Sequence, residues 1–232
     1  DPPIRAVWVT AGNPVDMLPE SRTIVEALRS REFVVVVDSF LTDTARQATL
    51  VLPTTTLLEA DDLLGAYGHH YIGSARPIVP PPAGVKSDLE IVQGLAEKVG
   101  LGDAMAGTAR EWKKRLLSPE LAAHGVTLER LDAGAVRNPL APKVAFADRK
   151  FATPSGRVNL LDRMPPDAPP AGADYPLVLM ALSTPEAQSS QWAKKRSSPP
   201  EVTVHPGAAQ GIADGGLCRV ESPLGAIVAR LR

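Results

Sequence analysis

Asn13, Asp38 and Asp88 are the side chains whose type and setting offer the clearest binding chemistry. Asn13 lies in Thr10-Ala11-Gly12-Asn13-Pro14, directly after the apolar, β-branched segment Ile4 to Thr10. Beyond the carboxyl end of a strand, an amide can bond phosphate or sugar in an open α/β sheet. The same Asn-Pro pair also serves as plain turn chemistry, and the glycine fingerprint G-x-G-x-x-G is absent. Asp38 closes the apolar run Phe33 to Val37. A carboxylate there can accept from ribose hydroxyls, or act as an N-cap or a loop charge. Asp88 sits inside Ser87-Asp88-Leu89-Glu90, a capping-box pattern. A negative charge in a first helical turn favours the helix dipole by roughly 0.3–1 kcal/mol. Its two acceptor oxygens would also match the N1–H and N2–H₂ donors of guanine.

Other polar clusters are less directional. Ser183-Thr184 and Ser189-Ser190-Gln191 form a hydroxyl- and amide-rich stretch after an apolar segment. Such a stretch can satisfy a ligand with many polar atoms, or lie in solvent. Lys194-Lys195-Arg196 reads as a solvated charge run, with proximity to a diphosphate as its other reading. His69 and His70 are adjacent, so their side chains diverge, and no third ligand is spaced for zinc. His205, before Pro206, reads as a strand-end residue. No Ser/His/Asp order stands out, and Cys218 is the only cysteine, too few for a disulfide or an iron–sulfur cluster.

These residues need elements to hold them. Ile4 to Thr10 and Phe33 to Val37 read as strands, the second buried on both faces as in a parallel sheet. Ile24, Val25 and Leu28 fall on one face of a helix between them. A short helix over Thr42 to Ala48 and a strand over Leu50 to Leu52 follow, giving a doubly wound α/β pattern. Glu59 to Ser74 reads as a glycine-rich loop and Arg76 to Val79 as a short strand. The capping box at Ser87 starts a helix with Val92, Leu95, Ala96 and Val99 as its buried stripe, stopped by Gly100. Thr108 with Glu111 starts another helix, and Ser118-Pro119 a third. After Pro142 the pattern turns to short strands between Gly and Pro: Arg157 to Leu161, Leu177 to Leu182, Val202 to Val204, Leu217 to Glu221 and Ala226 to Leu231. That pattern suits a small β-barrel. The expected division is an α/β domain over 1–140, a connector over 141–169 and a barrel over 170–232.

Composition narrows the classes. A net charge of −1 gives no electrostatic case for nucleic acid. No apolar run reaches the roughly 20 residues of a spanning helix, so no membrane span is expected. Asp1-Pro2-Pro3 lacks the basic and apolar regions of a signal peptide.

In combination the segments resemble the C-terminal half of the dimethyl-sulfoxide-reductase family of molybdopterin oxidoreductases. The resemblance rests on Gly12-Asn13-Pro14, the string from Val34 through Asp38-Ser39-Phe40-Leu41-Thr42-Asp43-Thr44-Ala45, and Ala48-Thr49-Leu50-Val51-Leu52-Pro53. Glu59, Lys86-Ser87-Asp88-Leu89-Glu90-Ile91, Thr153-Pro154-Ser155-Gly156-Arg157-Val158, Ser189-Ser190-Gln191 and Val204-His205-Pro206 through Gly211 to Gly215 extend it over nearly the whole chain.

The resemblance implies a Rossmann-like domain followed by a barrel of the double-psi type, here incomplete. It also implies two molybdopterin guanine dinucleotides on one molybdenum or tungsten. Asn13, Asp38, Thr42 and Asp88 match the nucleotide contacts; Ser183, Ser189, Ser190 and Gln191 match pterin or phosphate contacts. No catalytic residue and no metal ligand is expected in this chain. The metal ligand, and in many members an iron–sulfur cluster, belong to an upstream region that the family carries and this chain lacks. The chain therefore reads as an inactive cofactor-binding fragment of an enzyme of two-electron redox and oxygen-atom transfer. Its partners would be the N-terminal domains of the same polypeptide and an electron-transfer subunit. The expected compartment is the cytoplasm, with the periplasm open. Glu59 and the Tyr67–Tyr71 loop would lie toward the substrate funnel. The alternatives are a non-catalytic relative such as the large iron–sulfur subunit of NADH dehydrogenase, and a generic NAD-binding α/β protein.

Overall fold

The computed structural model describes residues 3–164, 174–183, 188, 190, 199–209 and 211–232. The chain forms two compact units, Asp1–Asn159 and Leu160–Arg232.

The first unit begins with three parallel strands, β1 (Ala6–Thr10), β2 (Phe33–Asp38) and β3 (Leu50–Pro53), in the order β1-β2-β3. Strand β2 is central, which explains its unbroken apolar run: Val34 to Val37 are all buried. The first crossover holds a short helix α1 (Pro14–Met17) and α2 (Ser21–Arg29). Ile24, Val25 and Leu28 of α2 pack with Val15, Val34, Val36 and Ala45 on one face of the sheet, as the helical spacing requires. Each fully buried aliphatic side chain there contributes about 1.5–3 kcal/mol. The second crossover keeps only a 3-10 turn, Ala45–Gln47, instead of the expected helix over Thr42 to Ala48. The residues before it are committed to tight turns closed by Asp38 and Thr42, which leaves too little chain for two helical turns. The strand order also runs one way without reversal, so this sheet shows a parallel α/β layer rather than a doubly wound one. Outside it an isolated parallel bridge joins Thr54 to Lys86 and extends the edge by one position.

Glu59 to Ser74, expected as a loop, contains an antiparallel hairpin of β4 (Leu63–Ala66) and β5 (His69–Ser74). Its turn is Tyr67-Gly68, with Tyr67 fully exposed. Gly65 and Gly68 dilute the strand signal, and a bulge between Leu64 and Ala66 breaks its alternation. Arg76 to Val79 forms no strand.

Five helices follow: α3 (Asp88–Lys98), α4 (Gly102–Met105), α5 (Ala109–Leu116), α6 (Pro119–Ala123) and α7 (Leu128–Ala133). Both capping boxes form, and Ser118 caps α6 with Pro119 at its first position. The expected stripe of α3 is buried only at Ala96, while Val92, Leu95 and Val99 are exposed. Strand β6 (Val136–Arg137) pairs with β5. Lys113 of α5 is buried, and its ammonium donates to Asp61, to Ser74 Oγ at 3.0 Å and to the Ala75 carbonyl at 2.6 Å. Asp132 of α7 accepts from Ser74, Arg76 and Arg110. Those donors, Arg110 first, hold its carboxyl down from 3.8 to about 2.

The second unit holds β7 (Glu201–Val202), β8 (Leu217–Ser222) and β9 (Gly225–Leu231), in the order β7-β9-β8. β8 and β9 form an antiparallel hairpin, and β7 adds in parallel to β9. Among the described residues this is an open three-stranded sheet, not the expected barrel. Arg157 to Leu161 and Leu177 to Leu182 make no ladder, so the strands that would close it are missing there. Their apolar composition alone was a strand signal, but extended chain without a hydrogen-bonded neighbour is not a strand.

Candidate functional site

The parallel register places the segments named from sequence at one edge of the first sheet. Thr10 is level with Val37, Val37 with Leu52, Asp38 with Pro53, and Thr54 with Lys86. The β1 turn, the residues after Asp38, Thr54 and the Lys86–Asp88 segment therefore all lie at the carboxyl ends of the strands. With about 4.8 Å between neighbouring strands, Lys86 stands roughly 10 Å from β2 and roughly 15 Å from β1 along this edge. Ligands of open α/β sheets bind outside this end.

Asn13 is only 6% exposed, and its side chain is engaged by the protein. Its Oδ1 accepts from Thr44 Oγ1 at 2.7 Å and Thr44 N at 3.2 Å, while its Nδ2 donates to Asp16. Thr44, fully buried, accepts in turn from Val15 N at 3.0 Å. This stitch joins the β1 turn to the loop after β2. Sequence reading missed Thr44: it is 31 residues from Asn13, and nothing local separates it from Thr42.

Asp38 is half-buried and folds one oxygen back, Oδ1 accepting from Phe40 N at 2.9 Å. Its Oδ2 has no donor among the described residues. Thr42 is half-buried, and its Oγ1 accepts from Ala45 N at 3.1 Å. Asp88 is the first residue of α3 and is exposed. The capping work is done around it. Ser87 N donates to Glu90 Oε2 at 2.7 Å, and Ser87 Oγ accepts from Glu90 N at 3.3 Å. The Ser87 backbone and hydroxyl, with Lys86 nearby, lower the Glu90 carboxyl below its ordinary range. Both Asp88 oxygens are thus free of protein donors among the described residues.

Thr54 was not singled out from sequence. Its N–H donates to the Asp38 carbonyl at 3.3 Å, and its buried Oγ1 has no partner among the described residues. The run Thr54-Thr55-Thr56 gave no reason to prefer it. Glu59 turns back on its own loop, Oε2 accepting from Thr56 N at 2.8 Å. Ser183, exposed, and Ser190, half-buried, belong to the second unit; Ser189 and Gln191 lie outside the described residues. Among the described residues no cluster of three His, Cys, Asp or Glu is placed to hold a metal ion, and no helix is long and apolar enough to cross a membrane.

The family model for molybdopterin oxidoreductase matches residues 1–98, the segment that builds this edge. The chain belongs to the molybdopterin oxidoreductase family. It is 36% identical over 159 residues to the probable oxidoreductase YyaE of Bacillus subtilis, covering 68% of this chain and 24% of that protein. It is 28% identical over 278 residues to trimethylamine-N-oxide reductase of Haemophilus influenzae, covering 98% of this chain and 34% of that one. The fold matches acetylene hydratase from Pelobacter acetylenicus with a TM-score of 0.74 at 22% identity, over 99% of this chain and 35% of the other. The chain thus spans about a quarter to a third of the length of these relatives.

Proposed function

We propose that this chain is the cofactor-gripping part of a molybdenum or tungsten oxidoreductase, and that the carboxyl edge of its first sheet holds the guanosine end of a molybdopterin guanine dinucleotide. One observation carries the reading. Two carboxylates, Asp38 and Asp88, stand on the same edge with oxygens that the protein leaves unpartnered among its described residues. A carboxylate with two free oxygens matches the paired N–H donors of guanine; one with a single free oxygen suits a ribose hydroxyl. Family membership supplies the cofactor class, and these acceptor oxygens fit the donors of its nucleotide end.

In this reading Asp88 faces guanine, Asp38 faces ribose, and Thr42 shapes the loop that presents Asp38. Asn13 fixes the β1 turn from inside. Ser183, Ser189, Ser190 and Gln191 of the second unit serve the pterin or its phosphates. When bound, the metal–pterin group supplies two-electron redox chemistry, with oxygen-atom transfer in the parent enzyme. This chain contributes position and electrostatic setting. Ligation of the metal and of any iron–sulfur cluster falls to other segments of the enzyme, as does contact with an electron-transfer subunit.

Calorimetric titration of the purified chain with GDP and ADP tests the reading. GDP should bind and ADP should bind at least tenfold more weakly. Asp88→Asn should reduce GDP affinity about 10- to 150-fold, the loss expected for a charge-assisted hydrogen bond of roughly 1.5–3 kcal/mol. Equal affinity for GDP and ADP would remove the guanine assignment. Sustained turnover of reduced viologen by the chain alone would contradict its role as a part.

A further inference from the structure

Two buried side-chain polar atoms among the described residues have no hydrogen-bond partner, Thr54 Oγ1 and Trp112 Nε1. Trp112 is on α5, beside Gly107 and under the guanidinium of Arg115. Only Thr54 has this status at the carboxyl edge of the first sheet. Its backbone is held from both sides, by the Asp38 carbonyl that accepts from its N–H at 3.3 Å and by the bridge to Lys86. Its neighbours are engaged as well: the Thr55 carbonyl accepts from Ser39 Oγ at 3.0 Å, and the Thr56 N–H donates to Glu59. The residue is 9% exposed, and its hydroxyl contributes almost none of that surface. A buried hydroxyl without a partner is a standing cost, and valine has nearly the same shape without it. Packing alone gives the hydroxyl no use.

Its place gives it one. Thr54 stands between the strand end that carries Asp38 and the segment that carries Asp88. The reading above puts ribose at Asp38 and the N1–H and N2–H₂ donors of guanine at Asp88. Along that side of a guanosine the polar groups run N1, N2, N3 and then the ribose 2′-hydroxyl. N3 is an acceptor to which no donor has been assigned, and Thr54 has a donor without an acceptor. We propose that the Thr54 hydroxyl donates to N3 of a bound guanine nucleotide. The order Asp88, Thr54, Asp38 along the edge then copies the order of polar groups along the nucleoside. Both purines carry N3, so Thr54 fixes the orientation of the base while Asp88 selects guanine. The contact requires a turn about χ1 into another staggered well. No hydrogen bond among the described residues resists that turn. This rests on the guanosine reading of the edge given above.

The experiment compares the wild-type chain with Thr54→Val by thermal unfolding and by calorimetric titration with GDP and with 3-deaza-GDP, which has a C–H in place of N3. Support has three parts. The Tm of the variant equals or exceeds the wild-type value. GDP binds the variant roughly 3- to 12-fold more weakly, the range for one neutral hydrogen bond. The two chains bind 3-deaza-GDP within twofold of each other. Unchanged GDP affinity in the variant overturns the inference and leaves the hydroxyl to a trapped water. So does an equal loss for GDP and 3-deaza-GDP, which would mean that the hydroxyl acts through the protein and not on N3. A Tm several degrees lower, or failure to fold, would show that the fold itself uses the hydroxyl and overturns it as well. If wild type binds neither probe, the guanosine reading falls and this one with it. If wild type binds GDP and the variant matches it, only this one falls.

Discussion

Replacing Asn13 by alanine should cost stability before it costs binding, because its side chain closes a buried circuit. The change deletes Oδ1, which accepts from both the N–H and the hydroxyl of Thr44. Thr44 is fully buried, so its N–H is left without a partner, a loss of about 1–3 kcal/mol. The hydroxyl bond adds about 0.5–1.5 kcal/mol. The expected total is about 2–4 kcal/mol, or a Tm lower by roughly 5–15 °C in a chain of this size. Asn13→Asp retains an acceptor at that place and should lose less than Asn13→Ala. Thr44→Val deletes the hydroxyl that joins Asn13 to the Val15 N–H, and it should couple to Asn13→Ala in a double-mutant cycle by about 0.5–3 kcal/mol. Thermal unfolding followed by circular dichroism provides the numbers. A change in Tm under about 2 °C for Asn13→Ala, accompanied by lost GDP binding, would refute the circuit and make Asn13 a direct ligand contact instead.

Two further outcomes follow from local geometry. Ser87→Ala removes the hydroxyl that accepts from Glu90 N and should destabilise the chain by about 1 kcal/mol, read in denaturant unfolding; no change would show the cap to be idle. Asp132 has a folded pKa near 2 against an ordinary 3.8. Its contribution is therefore fully present above pH 4 and is lost as pH falls toward 2. Asp132→Asn should flatten the decline of Tm across that window, and parallel wild-type and variant profiles would reject the assignment.

What could be read from sequence was what neighbouring residues decide. The capping boxes at Ser87 and Thr108 involve partners three residues apart, and both formed. The run Val34 to Val37 announced a strand buried on two faces because no polar residue interrupts it. The strands at Leu217 and Gly225 were legible because a tight Ser222–Gly225 turn joins them. Long-range pairing was not legible. The bonds of Asn13 to Thr44, the bridge of Thr54 to Lys86 and the contacts of Lys113 with Asp61 join residues whose separation no periodicity encodes. Composition misled where pairing decides, as at Leu177 to Leu182, which is apolar yet makes no ladder. At the candidate site, sequence picked out the segments that share the edge. It did not reveal that Asn13 faces inward, or that Ser87 and Glu90 leave Asp88 without a donor among the described residues.

The Thr54–Lys86 bridge has an evolutionary consequence. Residues 55 to 85 leave the sheet at one partner of that bridge and return at the other, so their two ends are already neighbours. Lengthening a loop whose ends are fixed together costs little, about 0.6 kcal/mol for each doubling. The exposed tip of the excursion at Tyr67-Gly68 can grow or shrink without moving Asp38 or Asp88, while its base stays tied to Lys113 through Asp61, Ser74 and Ala75. A lineage can thus diversify what this part of the surface meets while inheriting an unchanged strand register that keeps Asp38 and Asp88 on one edge.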